Sequence, residues 1–209
     1  MDQIIKHFIT GDADDTIAKI SEHFSVEEKI SLFKGMEFYA KEGDYMAQFW
    51  LAEMYEEGIG VDRDIAKSFY WNKLSAEQSN SHYDQNYIAR CYEKGTGTDV
   101  DKEKALEWYQ KAVKNGSTEA LYNLARIHQN NDDIDEAIYC FIKIYHQLDK
   151  KKEKRQCKEA LLELIERCDI DMFEEWMKMH KRILVLEQEN ENINHIIKEL
   201  TAKKSIGII

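Results

Sequence analysis

Apolar residues recur along this chain at the three- and four-residue spacing of amphipathic helices, and short polar or glycine-containing turns separate the segments. Ser25-Val26-Glu27-Glu28 has the form of a capping box. It predicts a helix carrying Ile30, Phe33, Met36, Phe38 and Tyr39 and ending at Gly43. Further on, the run from Leu51 to Gly60 aligns with the run from Ile88 to Gly97 at an offset of 37 residues. The register continues without a gap, matching Asp64 to Asp101, Lys67 to Lys104 and Trp71 to Trp108.

Each recurring position has a physical reason. Ala52 and Ala89 are small where two helices cross, and Tyr55 and Tyr92 fill the space one turn on. The glycines after each tyrosine end the first helix, because a left-handed cap is cheap only without a Cβ. Asp64 and Asp101 are suited to cap the second helix. On that helix Phe69, Trp71, Trp108 and Tyr109 are expected to pack against the first. A third copy follows from Ala120, with His128 in the tyrosine position and Asn130-Asn131-Asp132-Asp133 in place of the glycine loop. Its second helix opens at Glu136-Ala137. Gly43 aligns near Gly116, so residues 12–43 read as a degenerate leading pair, and residues 2–10 as a short capping helix.

The motif Leu-Ala-x-x-Tyr-x-x-Gly-x-Gly-Val-x-x-Asp, then Lys-Ala-x-x-Trp-Tyr-x-Lys-Ala, resembles Sel1-like repeats. Gly58, Gly60, Val61 and Asp64 carry it in the first copy. In the second it rests on Gly95, Gly97, Asp101, Lys104, Ala105, Trp108, Tyr109, Lys111 and Ala112. The third is more similar to a tetratricopeptide repeat, through Leu124, Ala125, Ala137 and Phe141. Thr98 stands where valine is usual, and Asn72 and Ser75 weaken the pattern in the first copy. The resemblance covers residues 44–148 and implies an all-α fold, a right-handed α-solenoid of antiparallel helix pairs, in a repeat domain at 1–148.

The remaining segment, 149–209, changes character. Asp149-Lys150-Lys151-Lys152-Glu153-Lys154-Arg155 is a basic run, read as a solvated link and first helical turn. A helix from about 153 to 168 follows, with Ala160, Leu161, Leu164 and Ile165 on one face. A long helix is expected from about 171 to 203. Trp176, Ile183, Asn190 and Ile197 recur in it every seven residues, as do Met179, Leu186, Ile193 and Leu200. This stripe suits a homodimeric coiled coil whose register Asn190 would set. Met177, Leu184 and Val185 widen the early stripe, which suits a helix capping the repeats instead. Both readings stand open.

Composition narrows the picture. Proline is absent from the 209 residues, which fits a chain that is helical almost throughout. A net charge of −11 argues against nucleic acid as a partner. Cys91, Cys140, Cys157 and Cys168 show no metal or disulfide spacing and read as free thiols. The N-terminus has no signal-peptide pattern and no apolar run reaches the length of a membrane span, so a cytoplasmic protein away from membranes is expected.

No catalytic residue, metal site or cofactor is assigned. The seven histidines lack metal-ligand spacing, and Gly58-x-Gly60 and Gly95-x-Gly97 are explained by the repeat rather than by nucleotide binding. The expected partner is another protein. From the tetratricopeptide resemblance, the groove-facing positions are Met46, Phe49, Glu53 and Glu56 in the first copy. They are Tyr83, Asn86, Arg90 and Glu93 in the second, and Glu119, Tyr122, Arg126 and Gln129 in the third. Aromatic anchors and arginine forks there suit a partner protein or peptide held by an adaptor or scaffold. The alternative is an inhibitor or immunity-type protein whose acidic surface, strongest before residue 60, occludes a basic active site.

Overall fold

Helix ends in this protein are set by a small number of caps, most of them foreseeable from local sequence. The computed structural model describes residue 20 and residues 22–167. Within them lie α1 (Val26–Lys41), α2 (Tyr45–Glu57), α3 (Ile65–Ser79) and α4 (His82–Lys94). α5 (Lys102–Lys114), α6 (Thr118–Asn130), α7 (Ile134–Gln147) and α8 (Lys151–Arg167) complete the all-α architecture. The expected capping helix at 2–10, the long helix at 171–203, its heptad residues and Cys168 lie outside the described residues. The chain divides into two compact units, Met1–Ala120 and Leu121–Ile209, with the division inside α6.

In the first unit, Ser25 and Glu28 form the reciprocal capping box that opens α1. Gly43 and Gly116 both have φ +97°, and the residue after each bonds back to the carbonyl five residues earlier. Their alignment therefore holds at the level of the backbone. Asp44, Asp64 and Asp101 each accept the amide three residues on, and so start α2, α3 and α5. Gly58 and Gly95 sit in the left-handed region and end α2 and α4.

The second glycine of each loop has a different duty. A Cβ on Gly60 would run into the backbone carbonyl of Lys29 at the start of α1. One on Gly97 would meet the carbonyl of Ile65 and Cβ of Phe69 at the start of α3. The α2–α3 loop thus rests on α1 and the α4–α5 loop on α3, closer than any side chain permits. In both loops the N-cap aspartate returns its amide to the repeat tyrosine: Asp64 to Tyr55 and Asp101 to Tyr92, each at 2.9 Å. Lys67 and Lys104 then cover those tyrosine rings at 5.2 and 5.5 Å.

The core lies between consecutive helices. Leu32, Met36, Leu51 and Met54 are among its fully buried members in α1 and α2, joined by Ile88, Ala89, Tyr109 and Ala112 further on. Burying each large apolar side chain stabilises by about 1.5–3 kcal/mol. Trp108 and Tyr109 are buried as expected. Phe69 is buried and also reaches beyond its own pair: its ring meets Tyr92 of the following pair edge-on at 5.1 Å, as Phe33 meets Tyr55 at 5.3 Å. A second helix therefore serves the next pair as well as its own.

Buried polar residues join the helices too. Gln48 accepts from Gln78 at 2.9 Å, and Gln85, one repeat on, accepts from Asn115 at 2.9 Å. Asn72 donates to Ser68, and Ser75 donates to the carbonyl of Tyr45 at 2.8 Å. The two residues that weaken the pattern of the first copy are thus paired inside it.

The second unit packs α8 on α7, with Cys140, Phe141, Ile144, Leu161 and Leu164 buried and the Cys157 thiol donating to the carbonyl of Phe141 at 3.2 Å. Its α6–α7 turn keeps the closing bond of the glycine loops: the Asp133 amide donates to the His128 carbonyl at 2.9 Å. Histidine therefore occupies the tyrosine position, and Asp132 takes the positive φ, +65°, that a glycine supplies elsewhere. The described cysteines, Cys91, Cys140 and Cys157, are free and buried, and burial pushes each thiol up to about 11.

Candidate partner-binding face

Helical geometry places Met46, Phe49, Glu53 and Glu56 along one stripe of α2, and Tyr83, Asn86, Arg90 and Glu93 along the matching stripe of α4. The structure separates these residues by role. Tyr83 is 72% exposed, and its ring lies on His82 with centroids 4.0 Å apart. Arg90 is exposed and reaches Glu119 at 3.7 Å, with both side chains half or more in solvent. Such a pair contributes little to stability and can be exchanged for a partner's carboxylate.

Other members of the stripe are built into the fold. Asn86, expected on the groove face, is 4% exposed and its side chain is enclosed within the unit. The helical spacing was right for the backbone, but close helix packing covers that position. Phe49 is half-buried, with its ring edge-on to Trp50 at 5.5 Å. Glu93 accepts from the buried phenol of Tyr109 at 2.7 Å.

Glu56 accepts from Ser68 of α3 at 3.4 Å and from Tyr87 of α4 at 3.2 Å. It therefore ties three helices together rather than standing free as a recognition group. Burial, with Cys91 and Glu56 beside it, pushes the Tyr87 phenol up. Sequence reasoning passed over Ser68 and Tyr87. The available signal was that Tyr87 occupies the repeat position of Trp50, so an aromatic ring recurs there.

Glu53 is the electrostatic feature of this face. Burial, then the carboxylates of Glu56, Glu57 and Asp84, raises it from 4.5 to about 7. α2 contains no lysine or arginine to offset them. Arg90 and Arg126 occupy the same repeat position as Glu53 in the next two copies.

In the second unit, Arg126 is exposed and Gln129 is half-buried. Tyr122 is 40% exposed and packs edge-on against Phe141 at 6.4 Å. His128 is half-buried, with Nδ1 3.6 Å from Asp133. Among the described residues, no group of three or more His, Cys, Asp or Glu is placed to hold a metal ion. No described helix is long and apolar enough to cross a membrane.

Comparison with known proteins places this arrangement. The Sel1 repeat family model matches residues 46–80, 82–117 and 118–147. The third match is the shortest, as its abbreviated α6–α7 turn requires. Among solved structures, the chain is similar to a Sel1 repeat protein from Oxalobacter formigenes. Identity is 20% over 84% of this chain and 69% of that one, with a TM-score of 0.57. It is also similar to c5321, a protective antigen of uropathogenic Escherichia coli strains displaying an SLR fold. There identity is 24% over 77% of this chain and 39% of that one, with a TM-score of 0.50. At such identities the likeness concerns the fold alone. No curated protein matches this sequence.

Proposed function

With three Sel1 repeats across residues 46–147 the chain is a Sel1-repeat protein, and on that premise we propose that it is a non-catalytic interaction module, an adaptor or scaffold. Its repeats would hold a partner protein or peptide on the first-helix faces, within a repeat domain bounded at 1–148. The observation that carries this reading is the division of labour on α4. Asn86 and Glu93 are taken up by the fold, while Tyr83 and Arg90 are offered to solvent. An aromatic ring beside an arginine fork is a combination enriched at interface anchors.

Residues retained for packing need no partner to explain them. Tyr83 at 72% exposure contributes nothing to the core. The contact set of this reading is therefore Met46, Glu53, Tyr83, Arg90 and Glu119 in the first unit, with Tyr122, Arg126 and Gln129 in the second. Segment 149–209 would supply a second function, homodimerisation through the heptad residues or capping of the repeats.

Affinity capture from native lysate, read by mass spectrometry, tests the assignment. Wild type and an Arg90→Glu/Arg126→Glu variant are compared, with the helical circular dichroism signal confirmed equal. A protein retained by wild type and lost by the variant supports the face. Equal retention by both rules it out as the binding surface.

A further inference from the structure

The second unit carries opposite charges at the two ends of α7. Asp132, Asp133, Asp135 and Glu136 lie at its N-terminal end, with no lysine or arginine among residues 131–136. Beyond its C-terminal end, residues 150–158 hold five lysines and Arg155 against the single carboxylate of Glu153. This cationic island sits in a chain of net charge −11. The fourteen residues of α7 hold the two clusters about 20 Å apart.

The acidic end has a local explanation, since carboxylates at a helix N-terminus are favoured by its dipole. The basic end does not. Lys151, Lys152 and Arg155 occupy the first turns of α8, where the same dipole disfavours cations. All three are exposed. Arg155 is 3.6 Å from Glu159, with both side chains mostly in solvent. By contrast Lys154 lies over the Tyr145 ring and Lys150 reaches Glu153 at 3.2 Å, so those two cations have uses within the unit.

The remaining basic face fits an anionic surface. Cys157, Leu161 and Leu164 are buried, so these apolar residues of α8 are not on offer to a bilayer. The chain's overall acidity opposes nucleic acid. An acidic counterpart, half-buried Asp135 and exposed Glu136, lies on the same unit at the other end of α7.

We infer that the unit pairs with a second copy of itself, with the two α7 helices side by side and reversed. The Lys151–Lys152–Arg155 face of each copy then meets the Asp135–Glu136 end of the other. Reversal satisfies both contacts at once, the self-complementarity that a two-fold dimer demands. The pairing does not depend on the partner-binding face, and it uses neither Arg90 nor Arg126.

Sedimentation equilibrium on the full chain, in about 50 and about 500 mM NaCl, tests it. Dimerisation is expected at low salt, with an association constant at least ~10-fold weaker at high salt, because exposed pairs are screened. A Lys151→Glu/Lys152→Glu/Arg155→Glu variant and an Asp135→Lys/Glu136→Lys variant should each lose the salt-dependent step with unchanged circular dichroism. An equimolar mixture of the two should recover it. The inference is overturned by a wild type with no salt-dependent association, by variants that associate as wild type does, or by a mixture that fails to recover. It is equally overturned if the same lysines bind phosphatidylserine vesicles while the chain shows no salt-dependent association.

Discussion

The pairs α2–α3 and α4–α5 close their loops with the same bonds but carry opposite charges at one matching position of their first helices. Gly58 and Gly95, Gly60 and Gly97, Asp64 and Asp101 superpose in role down to the tyrosine carbonyl that receives the aspartate amide. Where α2 carries Glu53, however, α4 carries Arg90; where α3 carries Asn72, α5 carries Tyr109. The difference teaches which positions the scaffold dictates. Those that bring backbone against backbone are held constant, whereas those that fill or face outward vary with what lies beside them. Glu56 and Glu93 make this concrete: one accepts from Ser68 and Tyr87, the other from Tyr109, so the same carboxylate is satisfied from different directions.

The strongest way to break this comparison is through the glycines. Gly60→Ala and Gly97→Ala should each destabilise by about 2–5 kcal/mol, combining left-handed strain with an overpacked backbone contact. Gly58→Ala should cost only the strain, about 1–2 kcal/mol, since its nearest neighbours stand at 3.5 Å or beyond. Urea denaturation of the three variants decides it. Equal losses at Gly58 and Gly60 would mean that the close approach to α1 is not what requires the second glycine.

Glu53 sharpens the comparison where the pairs differ. Its folded pKa of about 7 lies above the ordinary 4.5. The stability linked to it is therefore complete below pH 4.5 and lost as pH rises through 7. Glu53→Gln should be more stable than the parent at pH 8 by about 1–2 kcal/mol, after discounting for the exposed part of the side chain. The two should converge near pH 4. Denaturation profiles that run parallel from pH 4 to 8 would remove the electrostatic account of α2.

A smaller effect separates the two glycine-looped pairs from the third. The Lys67 amide above all holds Asp64 below the ordinary aspartate range, and the Lys104 side chain does so for Asp101. Their contribution is present above the ordinary value of 3.8 and disappears as pH falls through the lower folded value. Asp64→Ala and Asp101→Ala should lower the thermal midpoint at pH 7 and approach the parent near pH 2. Asp133 makes no side-chain cap bond, so Asp133→Ala should lower the thermal midpoint at pH 7 less than either of these. Thermal melts across that range would show whether the third turn behaves differently.

Much of the scaffold was readable from single stretches of sequence. A serine three residues before a glutamate, a glycine at a helix end and an aspartate at a helix start act within one turn of chain, so their consequences need no distant partner. Repetition then supplied the pairing of helices, because copies of one apolar pattern bury one another in succession. The face residues were less legible. Arg90 and Tyr83 follow from helical spacing, but Asn86 obeys the same spacing and is buried by close helix packing.

What the sequence determined alone is therefore the all-helical repeat, its caps and the substitution of histidine for tyrosine at position 128. These rest on backbone preferences and on periodicity, both local. Tertiary structure decided why Gly60 and Gly97 must lack a Cβ, which carboxylates are held inside, and which of the stripe residues meet solvent. Those outcomes depend on distances between segments some thirty residues apart, and only packing sets such distances.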